Sequence, residues 1–299
     1  MDIADSKLTA AKPSSQSPAA TPRNSRPLLL VIGGDAKIDW FELFAADTQI
    51  AVEAAAWPQI QLVSYSDAGC VVTLSPSPRP VPNSPQSSKR TIQPDFLLIR
   101  SAPQADAGID FRNLLIGFVH ARVPAVNSLE SMLLCLEKPV IYSKLLDVRD
   151  RLRCTKQPFP LIEQTYFPNH QSMAFLGYQP AVVKIGTAHS GLGKMRISNA
   201  DDFQDFRSCM ALQQRYVTCE PFVDWDYDFR IQKIGEHYRA FRRFSSNWKG
   251  KGMSQRDEDI AVEDHHRVWI DAASAALGMD ICALDGIHSK ACSFRTSLC

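Results

Sequence analysis

The chain has 299 residues, 45% of them hydrophobic and 22% charged, which is the composition of a packed globular protein and not of a disordered or fibrous one. Twice the ~150 residues of a single domain excludes a small scaffold that needs disulfides or metals to fold. Lysine plus arginine number 33 against 32 aspartates plus glutamates, a formal charge of +1; this gives no general attraction to polyanions, so no nucleic-acid partner is expected.

Residues 1 to 26 are rich in Ser, Ala, Pro and Thr and lack aromatics, so they read as a disordered tail. Arg23-Asn24-Ser25 has the shape of a kinase site, a tripeptide that is also common in unmodified linkers. The tail has no apolar leader segment, and the run Leu28 to Ile32 is too short to span a bilayer. The eight cysteines contain no C-x-x-C pair and no regular spacing, against a zinc site or a disulfide framework. A cytoplasmic protein with reduced thiols is expected.

Leu28-Leu-Leu-Val-Ile32, stopped by Gly33-Gly34, predicts a strand buried on both faces of a parallel sheet, and Phe96 to Ile99 and Pro124 to Asn127 predict two more. Between these two, Asp110 to Ala121 places Phe111, Leu114, Leu115 and Phe118 on one helical face, completing a strand-helix-strand unit. The proline- and serine-rich stretch over 75–91 predicts a flexible surface loop. From Ser128 to Val148 the pattern is helical, interrupted by Pro139, and a second domain starts near its beginning. Extended segments follow at Pro180 to Ile185, Met195 to Ser198, Tyr216 to Val223, Phe229 to Ile234 and Tyr238 to Phe244. Helices are predicted over Asp201 to Gln214 and His265 to Leu277, the latter ended by Gly278.

The chemistry concentrates in Ala181-Val-Val-Lys-Ile-Gly-Thr-Ala-His-Ser-Gly-Leu-Gly-Lys-Met-Arg-Ile197. Glycines let backbone N–H groups approach phosphate oxygens, and Lys184 and Lys194 add charge, so the stretch suits a hairpin covering a phosphate. A mobile glycine hairpin with Lys184 facing solvent fits the same pattern. A P-loop does not fit, because Leu192 follows Gly191 and a strand comes next; a dinucleotide fingerprint fails at Arg196. Downstream, Glu220-Pro-Phe-Val223 can present backbone groups to an adenine edge or be a plain strand-end turn. Strand alternation puts Asp228, Arg230 and Gln232 on one face, where Asp228 and Arg230 could simply pair, with Phe229 and Ile231 on the other. Lys249 adds a further cation in a polar loop. Together these residues suggest a nucleotide cleft.

The stretches LLLVIGGDAKIDW, QPDFLLIR, VPAVNSLESM, EKPVIYSKL, FPLIEQTYFPNH, VVKIGTAHSGLGK, EPFVDWDYDFRIQKIGEHYRAFRR and MDICALDGIHSK resemble the synapsin family, in family order from about residue 27 to 290. The resemblance implies an α/β fold, a pre-ATP-grasp (Rossmann-like) domain over 27–127 followed by an ATP-grasp domain over 128–299. It implies ATP as the ligand, with phosphates near Lys138, Lys184, His189, Ser190, Gly191, Gly193 and Lys194. The adenine hinge falls at Glu220, Phe222 and Val223, with further contacts from Asp228, Arg230 and Lys249. It also implies a non-catalytic phosphoprotein peripheral on synaptic vesicles of the presynaptic terminal, with actin and a second copy of itself as partners, regulating neurotransmitter release. An ADP-forming carboxylate-amine ligase of the same fold is the alternative.

Three departures qualify these expectations. After Lys290 the family continues with closing strands that carry metal ligands, whereas here ACSFRTSLC follows, so an ATP-grasp domain incomplete at its C-terminal end is expected. Asp285, where the family usually has Glu, is then a lone candidate ligand for calcium or magnesium, and hard cations need several oxygens. The loop between Phe244 and Asn247 is about two residues shorter than the family pattern, and the usual arginine-serine phosphorylation motif is absent from residues 1 to 12.

Overall fold

In the computed structural model, the residues described are 26–34, 38–47, 49–76, 88–104, 110–187, 191–245, 248–249, 256–289 and 295–297. Arg23 to Ser25, His189 and Ser190 lie outside them, as does most of the proline-serine stretch.

The N-terminal part is built on a four-stranded parallel sheet. Strand β1 (Leu28–Ile32) pairs with β2 (Ala51–Ala55) on one side and β6 (Phe96–Ile99) on the other, and β6 pairs with β7 (Ala125–Val126). Val31 and Ile32 are fully buried, as a continuous apolar run in a covered parallel strand should be. The short helix α1 (Trp40–Leu43) is capped by the Asp39 carboxylate, which accepts from the amides of Phe41 and Glu42. An antiparallel sheet of β3 (Ile60–Tyr65), β4 (Gly69–Leu74) and β5 (Arg90–Ile92) and the helix α2 (Arg112–His120) complete this core around Leu30, Leu74, Leu97 and Phe118. The predicted flexible loop is therefore shorter than 75–91, because Arg90 begins a strand and pairs with Glu53 at 2.5 Å.

The stretch read as one helix from Ser128 to Val148 is two, α3 (Leu129–Leu134) and α4 (Lys138–Leu152). Pro139 does not interrupt a helix; it sits in the first turn of α4, where a missing N–H costs nothing. The C-terminal part holds two sheets. One is antiparallel, with β8 (Thr165–Phe167), β9 (Ala181–Ile185), β10 (Lys194–Ile197) and β11 (Val217–Pro221) in the order β10-β9-β11-β8, backed by α5 (Ala200–Met210) through Phe203, Phe206 and Met210. The other has the order β14-β13-β12-β15-β16, from β12 (Tyr227–Ile234), β13 (His237–Phe244), β14 (Arg256–Ile260), β15 (Ile281–His288) and β16 (Arg295–Ser297). Helix α6 (Asp264–Leu277) and α4 bury Leu145, Trp269 and Ile270 against Phe229, Ile231 and Leu284 of that sheet. Gly278 ends α6 at φ +64, the left-handed conformation that glycine adopts without strain. The segment after Lys290, where closing strands were not expected, supplies β16, which lies beside the strand carrying Asp285.

Asn127 clasps the two parts. Its side-chain Nδ2 donates to the Ile281 carbonyl at 2.8 Å, and its Oδ1 accepts the Ile281 amide at 2.7 Å. Because Asn127 is buried, Asn127→Ala strands both backbone groups of Ile281 and is expected to cost about 1–3 kcal/mol. A urea midpoint within error of the parent would show that the clasp contributes nothing.

Candidate functional site

A cleft of about 920 Å³ runs between the two C-terminal sheets and reaches the C-terminal edge of the N-terminal sheet. Cross-strand partners in an antiparallel ladder share a face, and here Lys184 of β9 lies opposite both Lys194 of β10 and Thr218 of β11. Two residues beyond Thr218, Glu220 falls on that same face. The result is a buried ion pair, Lys184 Nζ to Glu220 Oε1, with both residues 8% exposed. Lys184 therefore does not face solvent, which removes the mobile-hairpin reading of that residue.

Thr187 and Gly191, between β9 and β10, both line the cleft. Gly191 has φ +84, and a Cβ there would lie 3.3 Å from the Lys249 carbonyl, so glycine lets the Lys249 loop pack against it. Gly193, at φ +69, stands just outside the cleft wall and its carbonyl accepts the Ile185 amide at 2.9 Å. Lys138, at the start of α4, enters from the other side. At the hinge, Phe222 is anchored by its amide to the Pro180 carbonyl at 2.9 Å and meets Trp225 and Trp248 edge-on, with the Arg196 guanidinium 4.2 Å from its ring. Such an aromatic group offers an apolar slot to a flat ring.

The cleft floor belongs to β12 and β15. The alternation read from the sequence holds: Phe229 and Ile231 are buried in the core and Asp228 and Arg230 line the cleft. The pairing differs. Arg230 lies in register with Asp285 and grips it with both arms, Nε to Oδ1 at 2.5 Å and Nη2 to Oδ2 at 2.7 Å. Asp228 is left in a desolvated position, and burial pushes its carboxyl up to about 6 against the pull of Arg243 and Lys194.

Of the residues expected at the site, Lys138, Lys184, Gly191, Lys194, Glu220, Phe222, Val223, Asp228, Arg230, Lys249 and Asp285 all line this one cleft. Arg100, Arg243, Trp225 and Trp248 line it too and were not anticipated. Arg100 ends the run Phe96-Leu-Leu-Ile-Arg100, and ligands of open parallel sheets bind beyond the carboxyl ends of strands, so strand direction was the available signal. A nucleoside triphosphate fits the donor set, since lysines and glycine-freed amides serve phosphate and the aromatic slot serves a base. A divalent cation does not fit. Both oxygens of Asp285, expected as a lone ligand, are taken by Arg230, and no group of three or more His, Cys, Asp or Glu converges among the described residues.

The comparisons with known proteins agree with this arrangement. The family model for the synapsin pre-ATP-grasp domain matches residues 23–125, and that for the synapsin ATP-binding domain matches residues 127–294. Synapsin of Drosophila melanogaster is 34% identical over 273 residues, covering 87% of this chain and 26% of the fly protein. The chain thus spans about a quarter of that relative's length. Among solved structures, the ATP-grasp ligase PsnB complexed with a minimal precursor superposes with a TM-score of 0.59 at 14% identity, covering 90% of this chain and 88% of the other. D-alanyl-alanine synthetase A of Vibrio cholerae gives 0.59 at 10% identity over 91% and 88%, and the VanG D-Ala:D-Ser ligase of Enterococcus faecalis 0.57 at 12% over 91% and 89%. At these identities the solved structures establish the ATP-grasp fold alone.

Proposed function

The chain belongs to the synapsin family, and from that membership we propose that it is a non-catalytic, ATP-binding protein that sits peripherally on synaptic vesicles and regulates neurotransmitter release. Actin and further copies of the same chain are its proposed partners, and the presynaptic cytoplasm its place. The observation that carries the nucleotide part is the convergence of Lys138, Lys184, Lys194 and Lys249 on one cleft beside the Glu220 to Val223 hinge.

In this reading Lys184 is held rigid by Glu220 and presents a fixed charge to the phosphates, while Lys138, Lys194 and Lys249 close in from three other segments. Pre-positioned charge-assisted donors bind phosphate about twice as strongly as neutral ones. Phe222, Trp225 and Trp248 hold the base and exclude water around it. Phosphoryl chemistry of the ligase kind asks for metal ions at the transferring group, and the pairing of Asp285 with Arg230 leaves no ready ligand for them at that point. That is what supports holding without turnover. Among the described residues no helix is long and apolar enough to cross a membrane, which accords with peripheral attachment.

A thermal melt with and without ATP tests the nucleotide part. Ligand at about 100 times its dissociation constant adds ~2.7 kcal/mol, which raises the melting temperature by several degrees in a chain of this size. No shift with ATP, or steady ADP release with a panel of carboxylic acids and amines, would refute the corresponding half of the proposal. Co-sedimentation with purified synaptic vesicles tests the rest, and protein remaining in the supernatant would count against it.

A further inference from the structure

Arg230 and Asp285 deepen the nucleotide reading and rest on it. The family resemblance makes Asp285 a candidate ligand for calcium or magnesium, and the geometry disagrees. Calcium takes six to eight oxygens and magnesium a near-octahedral six. Here the carboxylate at the expected position has both oxygens bound by a guanidinium whose strand is the hydrogen-bonded neighbour of its own. A bidentate arginine-carboxylate pair is planar and directional, and a cation can displace the guanidinium only by breaking two charge-assisted bonds at once.

The charge of the cleft points the same way. Its wall carries four lysines and three arginines against three carboxylates, which leaves four positive charges. A free nucleoside triphosphate carries roughly four negative charges and keeps about two once a divalent cation is bound. The cleft is therefore matched to the metal-free anion. Within it, Arg230 is tied to Asp285, the expected metal ligand, and Arg243 and Lys194 act on the neighbouring Asp228.

We propose that Arg230 replaces a divalent cation in this cleft, so that the chain binds the metal-free nucleoside triphosphate and millimolar magnesium or calcium weakens binding instead of supporting it. Arg230 is a positioning and specificity residue here: it holds Asp285 out of metal coordination and sets the charge that the site accepts.

The experiment is calorimetric titration of ATP into the full chain in chelator, in magnesium and in calcium, on the parent, Arg230→Gln and Arg230→Lys. In the parent the affinity in chelator is expected to exceed that in either metal by about threefold or more, the direction fixed by the two charges the metal removes. Arg230→Gln releases Asp285 and removes one positive charge from the cleft, and the advantage of the chelator condition is expected to shrink. Arg230→Lys keeps a cation beside Asp285 and is expected to retain the parental order, which separates the role of the charge from general damage to the fold. Tighter binding of ATP by the parent in magnesium or calcium would overturn this inference alone. So would an unchanged metal response in Arg230→Gln. Absence of binding by the parent in all three conditions would overturn the ATP reading itself, and this inference with it.

Discussion

Lys184→Met is expected to destabilise the ligand-free protein by about 3–5 kcal/mol, because it strands the Glu220 carboxylate in a buried position with its partner gone. In the proposed nucleotide reading the same change removes a phosphate donor, so the ATP-dependent rise in melting temperature should vanish as well. The two effects separate in the double variant. Replacing Lys184 by Met and Glu220 by Leu together leaves two apolar side chains of similar volume on neighbouring strands, and buried ion pairs exchanged in this way are often neutral or stabilising. The double variant should recover most of the parent's urea midpoint and none of its ATP response. A double variant as unstable as the single one would show that the site tolerates no apolar packing. A double variant that still shifts with ATP would show that Lys184 is no phosphate ligand. The first result would indict the stability argument and the second the nucleotide assignment.

The second large effect is on acid stability, where two groups oppose each other. Burial, aided by the neighbouring His265, lowers His266 from 6.5 to about 4. The unfolded chain then binds more protons at this position than the folded one between those values, so the contribution of His266 is fully present above pH 6.5 and is lost as the pH falls toward 4. Asp228 does the reverse. Burial raises its carboxyl from 3.8 to about 6, so the folded state binds the extra proton and stability is lost as the pH rises through that window. Each is worth about 3 kcal/mol at most, and in the parent they largely offset between pH 4 and 6. Single variants should expose them. Asp228→Asn is expected to be more stable than the parent at pH 7 and to lose stability on acidification, while His266→Gln should lose stability as the pH is raised from 4 to 6. Urea midpoints at both ends of the window are the measurement, and variants that keep the parental profile would mean that neither group is buried as described.

How much of this was legible follows from what kind of pattern each element carries. Strand β1 and β6 are continuous apolar runs and β12 alternates cleanly, so period and composition name them. Strand β2, Ala51-Val-Glu-Ala-Ala55, has little strand propensity of its own; pairing with β1 makes it a strand. Strand β14, Arg256-Asp-Glu-Asp-Ile260, reads as solvated charge until it is laid beside β13, where Asp257 meets Arg243 and Asp259 meets Arg239. The hairpin of β3 and β4 is not legible in the sequence because its turn lacks the dipeptides that mark tight hairpins. At the site, glycine spacing, lysines and the family motifs pointed to residues that do line one cleft. The partner of Arg230 was not readable from its own strand. Asp228 sits two residues away on the same face, and only the register between β12 and β15, set by fifty-odd residues of intervening chain, gives Arg230 to Asp285.

Strand β15 has a mechanical consequence. Its first residue, Ile281, is gripped through its backbone by Asn127 at the seam between the N- and C-terminal parts, and Asp285, Gly286 and Ile287 further along form the cleft floor. Four residues of extended chain are a rod of about 13 Å, laddered along its length to β12 and joined by β16 from Asp285 onward. Seam and cleft floor therefore share one backbone, and a ligand in the cleft is expected to be felt at Ile281 by that route. The Ile281 amide, bonded to the Asn127 side chain, is a strain gauge: its hydrogen-exchange rate is expected to change when the cleft at the far end of the rod is filled.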